Sequence, residues 1–99
     1  MKDKVVIITG ASSGIGLATA REFAAAGARV VLAARRADLL EGIEKELRAG
    51  GCDALAVVTD VTREEDCRNL IEKTIEKYGR IDILINNAGL SMRALFRDV

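Results

Sequence analysis

The chain of 99 residues is 49% hydrophobic and 30% charged, which indicates one folded domain with a single core and not a disordered segment. Its 15 basic residues balance 15 acidic ones, and no apolar run is long enough for a membrane span or a signal peptide, so neither nucleic acid nor a membrane is expected as a partner. Because Cys52 and Cys67 form no C-x-x-C pair and histidine is absent, the sequence predicts no metal site and a cytoplasmic protein with reduced thiols.

The first third of the chain predicts a strand, a helix and a second strand. The run "KVVIIT" (4–9) is short, β-branched and apolar throughout, which is typical of a strand buried on both faces. The alanine-rich segment "IGLATAREFAAAG" predicts a helix that ends at Gly27, a residue suited to a left-handed cap. The next apolar run, "ARVVLAA" (28–34), predicts a second buried strand.

A second helix and a third strand follow. The segment "ADLLEGIEKELRAGG" places Leu39, Ile43 and Leu47 four residues apart, which predicts one apolar helical stripe. Its two final glycines are expected to end that helix. The run "ALAVVTD" (54–60) then predicts a third strand.

The remaining elements are a third helix and a fourth strand. Thr62 and Glu65 have the spacing of a capping box, which predicts that a helix opens there and ends before Gly79. The side chains expected to face inward are Cys67, Leu70, Ile71, Thr74, Ile75 and Tyr78. The segment "RIDILINNAG" predicts a fourth strand that runs into a loop.

The order βαβαβαβ, with strands that are apolar throughout, predicts an α/β fold with a doubly wound, Rossmann-type parallel sheet in residues 1–99. Right-handed crossovers predict the strand order 3-2-1-4. The first two helices should cover one face of this sheet and the third helix the other face.

The stretch "TGASSGIG" (9–16) places three glycines where the first strand turns into the first helix. Gly10 permits a sharp exit from the strand, whereas Gly14 and Gly16 allow a phosphate group to approach the helix N-terminus and let the helix pack closely on the sheet. Ser12 and Ser13 add hydroxyl groups at the tip of the loop. The alternative is a merely tight strand-to-helix turn with no ligand.

Three motifs occur in order along the chain: "TGASSGIG" after the first strand, "DVT" (60–62) after the third, and "NNAG" (86–89) after the fourth. From Lys4 to about Gly89 this pattern resembles the short-chain dehydrogenase/reductase family. The resemblance implies an NAD(P)-dependent oxidoreductase that transfers hydride between its cofactor and a small-molecule carbonyl or alcohol substrate. It also implies that the complete protein forms a homo-oligomer.

The resemblance also implies a set of cofactor-binding residues. Those around the phosphates and adjoining ribose are Gly10, Ser12, Ser13, Gly14, Ile15 and Gly16; those beside the adenine are Asp60 and Val61; and those along the ribose are Asn87, Ala88 and Gly89. Asn86 is expected to brace the central strands.

The end of the second strand bears on the choice of dinucleotide. Binding of NAD usually relies on an acidic residue at this place, but here Ala34 is followed by Arg35 and Arg36. A guanidinium group can bind a 2′-phosphate through two charge-assisted hydrogen bonds, so NADP is predicted in preference to NAD. Ser13 departs from the basic residue that many NADP-preferring members carry, which weakens this preference. The alternative for both arginines is a solvated charge.

The family's catalytic residues, a tyrosine with a lysine four residues later and a serine, have no counterpart here. Tyr78 is followed at that distance by Asp82 and is predicted to belong to the core, and Ser91 comes too early in the chain. The chain therefore predicts the cofactor-binding half of a longer NADP-dependent oxidoreductase, inactive by itself. Two alternatives are a non-catalytic dinucleotide-binding module or fragment, and another adenine-nucleotide binder on the same fold.

Overall fold

The structure, a computed structural model, describes residues 2–12 and 14–87. These residues form the predicted alternation of strands and helices: β1 (Val5–Thr9), α1 (Gly14–Ala25), β2 (Arg29–Ala34), α2 (Ala37–Ala49), β3 (Ala54–Val58), α3 (Glu64–Tyr78) and β4 (Ile83–Asn86). Within the same ranges, no helix is long and apolar enough to cross a membrane.

The four strands form one parallel sheet in the order β3-β2-β1-β4, which confirms the predicted doubly wound arrangement. In the register of the sheet, Ile7 of β1 lies between Val31 of β2 and Leu84 of β4. The chain reverses its direction of winding between β1 and β4. In sheets of this type ligands bind outside the carboxyl ends of the strands at such a reversal.

The first two helices cover one face of the sheet and the third helix covers the other, as predicted. Each strand contributes to both faces, because its successive side chains point to opposite sides. On one face, residues of α1 and α2 such as Ala20 and Leu40 pack against Ile8 and Leu32. On the other face, α3 packs through Cys67 and Leu70 against side chains that include Val5, Ile7 and Val31. All five residues of β1 are buried, so this strand is the centre of the core.

The apolar stripe of α2 differs from the prediction at its first position. Leu40, Ile43 and Leu47 are buried, whereas Leu39 is 41% exposed. Because a helix turns about 100° per residue, steps of four residues drift around its surface, whereas a step of three followed by a step of four returns nearly to the same face. The sheet therefore selects Leu40 in place of Leu39.

The start of α3 also corrects the sequence prediction, since the capping box of Thr62 and Glu65 does not form. The helix begins at Glu64, and the Thr62 hydroxyl donates to Oδ1 of Asp60 at 2.6 Å. Glu65 accepts hydrogen bonds from the guanidinium of Arg63. Thr62 is thus held by the carboxylate two residues before it, and the N-cap residue Arg63 makes no side-chain hydrogen bond to the helix N–H groups.

The inward face of α3 is narrower than predicted. Cys67, Leu70 and Thr74 are buried, and Ile71 and Tyr78 are partly buried against them, but Ile75 is 45% exposed. The predicted face spans too wide an arc of the helix to be covered by one sheet surface.

Candidate functional site

The glycine-rich turn after β1 is shaped by close contact between its two ends. Gly10 has a φ of 62°, which carries the chain sharply away from the strand. A Cβ atom at Gly16 would collide with the carbonyl group of Gly10, so α1 can approach the strand end only with glycine here. The N–H of Ala11 donates to the carbonyl of Ala33 at 3.2 Å, which ties the turn to β2.

Gly14, the first residue of α1, combines a left-handed backbone conformation with open space. Its φ is 55°, and a Cβ atom built there meets no atom within 4 Å. The helix N-terminus, with its unpaired N–H groups and the positive end of the helix dipole, therefore opens toward the carboxyl edge of the sheet without a side chain in the way. Ile15, next along, has 77% of its surface exposed.

A cleft of about 340 Å³ lies beside this turn, at the carboxyl ends of the first three strands. Its lining residues are Gly10, Ser12, Ala33, Ala34, Arg35, Arg36, Thr59 and Val61. The fold thus brings together five residues that were predicted from separate motifs. Thr59 was not predicted; it is buried, and its N–H donates to the carbonyl of Ala34 at 2.8 Å, so it joins β3 to β2 at the cleft wall.

The two arginines of the cleft differ in their partners. Arg36 donates from Nε and Nη2 to the two carboxylate oxygens of Asp38, at 3.3 and 3.0 Å. Within the part of the chain that the structure describes, Arg35 makes no hydrogen bond or ion pair, and acts on Asp60 through space. Arg35 is therefore the guanidinium that is available for an anion in the cleft.

Asp60 does not line the cleft, because its carboxylate is held by its own turn. Oδ1 accepts hydrogen bonds from the hydroxyl and the N–H of Thr62, at 2.6 and 3.0 Å. The hydrogen bonds from Thr62, and then the nearby charges of Arg35 and Arg63, hold the pKa of Asp60 below its usual value. At neutral pH the residue is an ionised acceptor at the edge of the site.

The carboxyl ends of β1 and β4 are joined by a side-chain contact. The buried hydroxyl of Thr9 donates to Oδ1 of Asn86 at 2.8 Å, and these two residues are also partners in the strand register. This contact gives Asn86 the bracing position predicted for it. Asn87 follows and is exposed at the same edge. Four other residues considered in the sequence analysis lie outside the described residues: Ser13, Ala88, Gly89 and Ser91.

Tyr78 lies at the opposite, amino edge of the sheet. Its hydroxyl donates to Oδ1 of Asp53 at 2.8 Å, and Asp53 directly precedes β3. Partial burial, together with the hydrogen bond to the Asp53 carboxylate, raises the pKa of Tyr78. This tyrosine packs against the α3 side of the core, as predicted, and stays protonated, so it has the environment of a structural residue.

Comparison with known proteins decides the family. A model of the short chain dehydrogenases matches residues 4–99, which is nearly the whole chain. The chain belongs to this family. The match confirms the resemblance drawn from the three motifs.

Known oxidoreductases share substantial identity with this chain. An uncharacterized oxidoreductase of Listeria monocytogenes is 51% identical over 90 residues, which are 91% of this chain and 36% of that protein. The solved L-sorbose reductase of Gluconobacter frateurii, complexed with NADPH and L-sorbose, is 43% identical with a TM-score of 0.87, over 91% of this chain and 35% of that one.

A second similar structure contains NAD and not NADPH. The short chain dehydrogenase/reductase of Burkholderia phymatum, in complex with NAD, is 35% identical with a TM-score of 0.82, over 84% of this chain and 30% of that one. The chain therefore spans about a third of the length of these relatives.

Proposed function

We propose that this short chain dehydrogenase binds NADP(H) in the cleft beside the glycine-rich turn and forms the cofactor-binding half, residues 1–99, of an oxidoreductase acting on a small carbonyl or alcohol compound. The observation that carries the proposal is that Gly10 and Ser12 of the glycine-rich turn line one cleft with Arg35, which has no hydrogen bond or ion pair among the described residues. Solved relatives with NADPH and with NAD support a nicotinamide dinucleotide as the ligand.

The residues of the turn fit a pyrophosphate. Gly14 leaves the first N–H groups of α1 accessible, and Gly16 keeps the helix close to the strand end, so that backbone donors and the helix dipole act on the same point. Ser12 lines the cleft at the tip of the turn. We assign Ser13 and Ile15 to the same phosphate and ribose region.

The other end of the cleft fits an adenosine with a 2′-phosphate. Ala34 ends β2 where a carboxylate would repel that group, and the guanidinium of Arg35 follows directly. Val61 provides an apolar wall, and the ionised Asp60 is an acceptor near the adenine position. Arg36, paired with Asp38, is a second guanidinium on this wall, and we assign Asn87, Ala88 and Gly89 to the ribose side.

When bound, the nicotinamide cofactor supplies or accepts the hydride. The residues of this chain bind it and orient it, and the proton transfer that accompanies hydride transfer is assigned to the remainder of the longer protein. Among the described residues the sole tyrosine, Tyr78, lies at the amino edge, bonded to Asp53 and away from the cleft. We further propose that the complete protein acts as a homo-oligomer in the cytoplasm.

The test of the proposal is the dinucleotide affinity of the full-length protein, measured by calorimetric titration. Arg35→Ala should weaken NADP binding by about tenfold to a hundredfold, the value of a hydrogen bond to a charged group, and leave NAD binding nearly unchanged. Ala34→Asp combined with Arg35→Ala should move the preference further toward NAD, because a carboxylate accepts from the 2′-hydroxyl and repels the 2′-phosphate.

Arg68→Ala is the matched control, since it removes an arginine of the same charge from the exposed face of α3, where Arg68 pairs with Glu64. It should alter neither affinity. Equal losses of NAD and NADP affinity in Arg35→Ala would contradict the assignment of Arg35 to the 2′-phosphate.

A further inference from the structure

We propose that Asp38 is a specificity-determining residue of this cleft, which lowers the affinity for a 2′-phosphorylated dinucleotide by holding the Arg36 guanidinium in an ion pair. The inference rests on the proposed function and deepens it, because it names a residue that reduces the preference for NADP over NAD that Arg35 creates. It concerns a residue that no sequence motif points to.

The ion pair is defined by geometry. Arg36 precedes α2 as its N-cap residue, and Asp38 lies in the first turn of the helix. Two nitrogens of the guanidinium donate to the two carboxylate oxygens, at 3.3 and 3.0 Å. A pairing of this kind uses one edge of the guanidinium, an edge that could otherwise bind two phosphate oxygens.

Because Arg36 lies at the cleft, its ion pair with Asp38 affects how a 2′-phosphate is bound there. Arg36 lines the cleft together with Arg35, so a 2′-phosphate placed beside Arg35 lies next to a guanidinium that already has a partner. The phosphate must either compete with Asp38 for Arg36 or leave the pair intact. In both cases the ionised carboxylate adds repulsion toward the phosphate, and its hydrogen bonds from Arg36 hold the pKa of Asp38 below its usual range.

The pair is exposed, which sets the size of the effect. The side chains of Arg36 and Asp38 keep 66% and 68% of their surface accessible, and exposed ion pairs contribute little free energy because water screens them. Competition with a phosphate dianion is therefore modest. NAD, which has a hydroxyl group at this position, should be almost insensitive to the pair.

The chain contains a matched control at the start of the next helix. Arg63 is the N-cap residue of α3, and it also donates from Nε and Nη2 to an acid two residues later, although both bonds go to Oε1 of Glu65, at 3.3 and 2.6 Å. Arg63 does not line the cleft. Glu65→Gln therefore removes an equivalent pair and an equivalent first-turn acid without releasing a cation into the proposed site.

The experiment compares the full-length wild type with Asp38→Asn, Glu65→Gln and the double variant Asp38→Asn with Arg36→Gln. Each is titrated calorimetrically with NADP, NAD and adenosine 2′,5′-bisphosphate, and thermal unfolding is recorded in parallel. We expect Asp38→Asn to tighten NADP and the bisphosphate about three- to fivefold, as for loss of an exposed competing pair, with NAD changed by less than about twofold. Glu65→Gln should change none of these affinities, and adding Arg36→Gln should cancel the gain.

The outcomes separate the inference from the function on which it rests. Tight NADP binding by the wild type that Asp38→Asn leaves unchanged would overturn the inference alone. Weaker binding of both NADP and NAD in Asp38→Asn would also overturn it, because the pair would then support the adenosine. A wild type that binds neither dinucleotide would overturn the proposed function, and this inference with it.

Discussion

At the scale of single residues, Gly16 is the position where a methyl group should cost most. Its Cβ atom would collide with the carbonyl group of Gly10, and backbone atoms on both sides must move to relieve the contact. We expect Gly16→Ala to lower the free energy of unfolding by about 1–3 kcal/mol, the usual cost of overpacking, and to weaken dinucleotide binding because the turn shifts. Urea unfolding and cofactor titration measure the two effects.

Gly42 provides the control for that substitution. It lies within α2, its φ is ordinary, and a Cβ atom there meets nothing within 4 Å. Gly42→Ala should therefore raise the free energy of unfolding by about 0.5–1 kcal/mol, since alanine is the better helix former. If both variants were equally stable, close packing of the turn would not be the reason for glycine at position 16.

At the scale of elements, α2 also protects the outer edge of the sheet. In β3 every second residue forms backbone hydrogen bonds to β2, and the flanking Asp53 and Thr59 belong to that set. The N–H of Ala56 and the carbonyl of Ala54 belong to the other set and therefore point away from β2. Glu44 accepts from the Ala56 N–H at 2.6 Å, and Arg48 donates to the Ala54 carbonyl at 3.0 Å. Glu44 and Arg48, one helical turn apart, thus form hydrogen bonds with backbone groups that would otherwise be open to another strand.

Glu44→Ala should lower the free energy of unfolding by about 0.5–1.5 kcal/mol, the net value of one hydrogen bond, and expose the strand edge to association. Glu44→Gln keeps an acceptor oxygen and should stay close to wild type. Glu41→Ala is the control on the same helix, since Glu41 is exposed. Denaturant unfolding with light scattering checks both effects, and equal behaviour of Glu44→Ala and Glu41→Ala would contradict this role for Glu44.

At the scale of the whole molecule, the two edges of the sheet are distinct. The cleft with its glycine turn and arginines lies at the carboxyl ends of the strands, whereas the hydroxyl of Tyr78 donates a hydrogen bond to Asp53 at their amino ends. Expressed by itself, the 99-residue chain should therefore show no hydride transfer above background, since it offers no tyrosine at the cleft for acid–base catalysis, typically worth about 10²–10⁴-fold.

The measurement is the change in absorbance of the reduced nicotinamide with a panel of aldehydes, ketones and alcohols, using a preparation free of full-length enzyme. The full-length protein is the positive control. Turnover by the 99-residue chain, abolished by Tyr78→Phe, would show that the catalytic group had been misassigned.

Much of the fold follows from the sequence, because its determinants are local or general. Uniformly apolar runs specify buried parallel strands, glycines mark the turns, and the right-handedness of crossovers then leaves the order β3-β2-β1-β4. The glycine turn and the cleft residue Arg35 could be predicted in the same way, because the carboxyl ends of parallel strands always meet at one edge, whereas Val61 was implied by the family resemblance.

Only the tertiary structure decided which neighbouring side chains take which role. It turned Thr62 toward Asp60, and it paired Arg36 with Asp38 while leaving Arg35 available. Each choice lies between arrangements that the same sequence pattern allows and whose free energies differ by about 1 kcal/mol, the size of one exposed contact. Such differences depend on the distances between side chains after the sheet and helices have packed, so periodicity and spacing along the chain do not contain them.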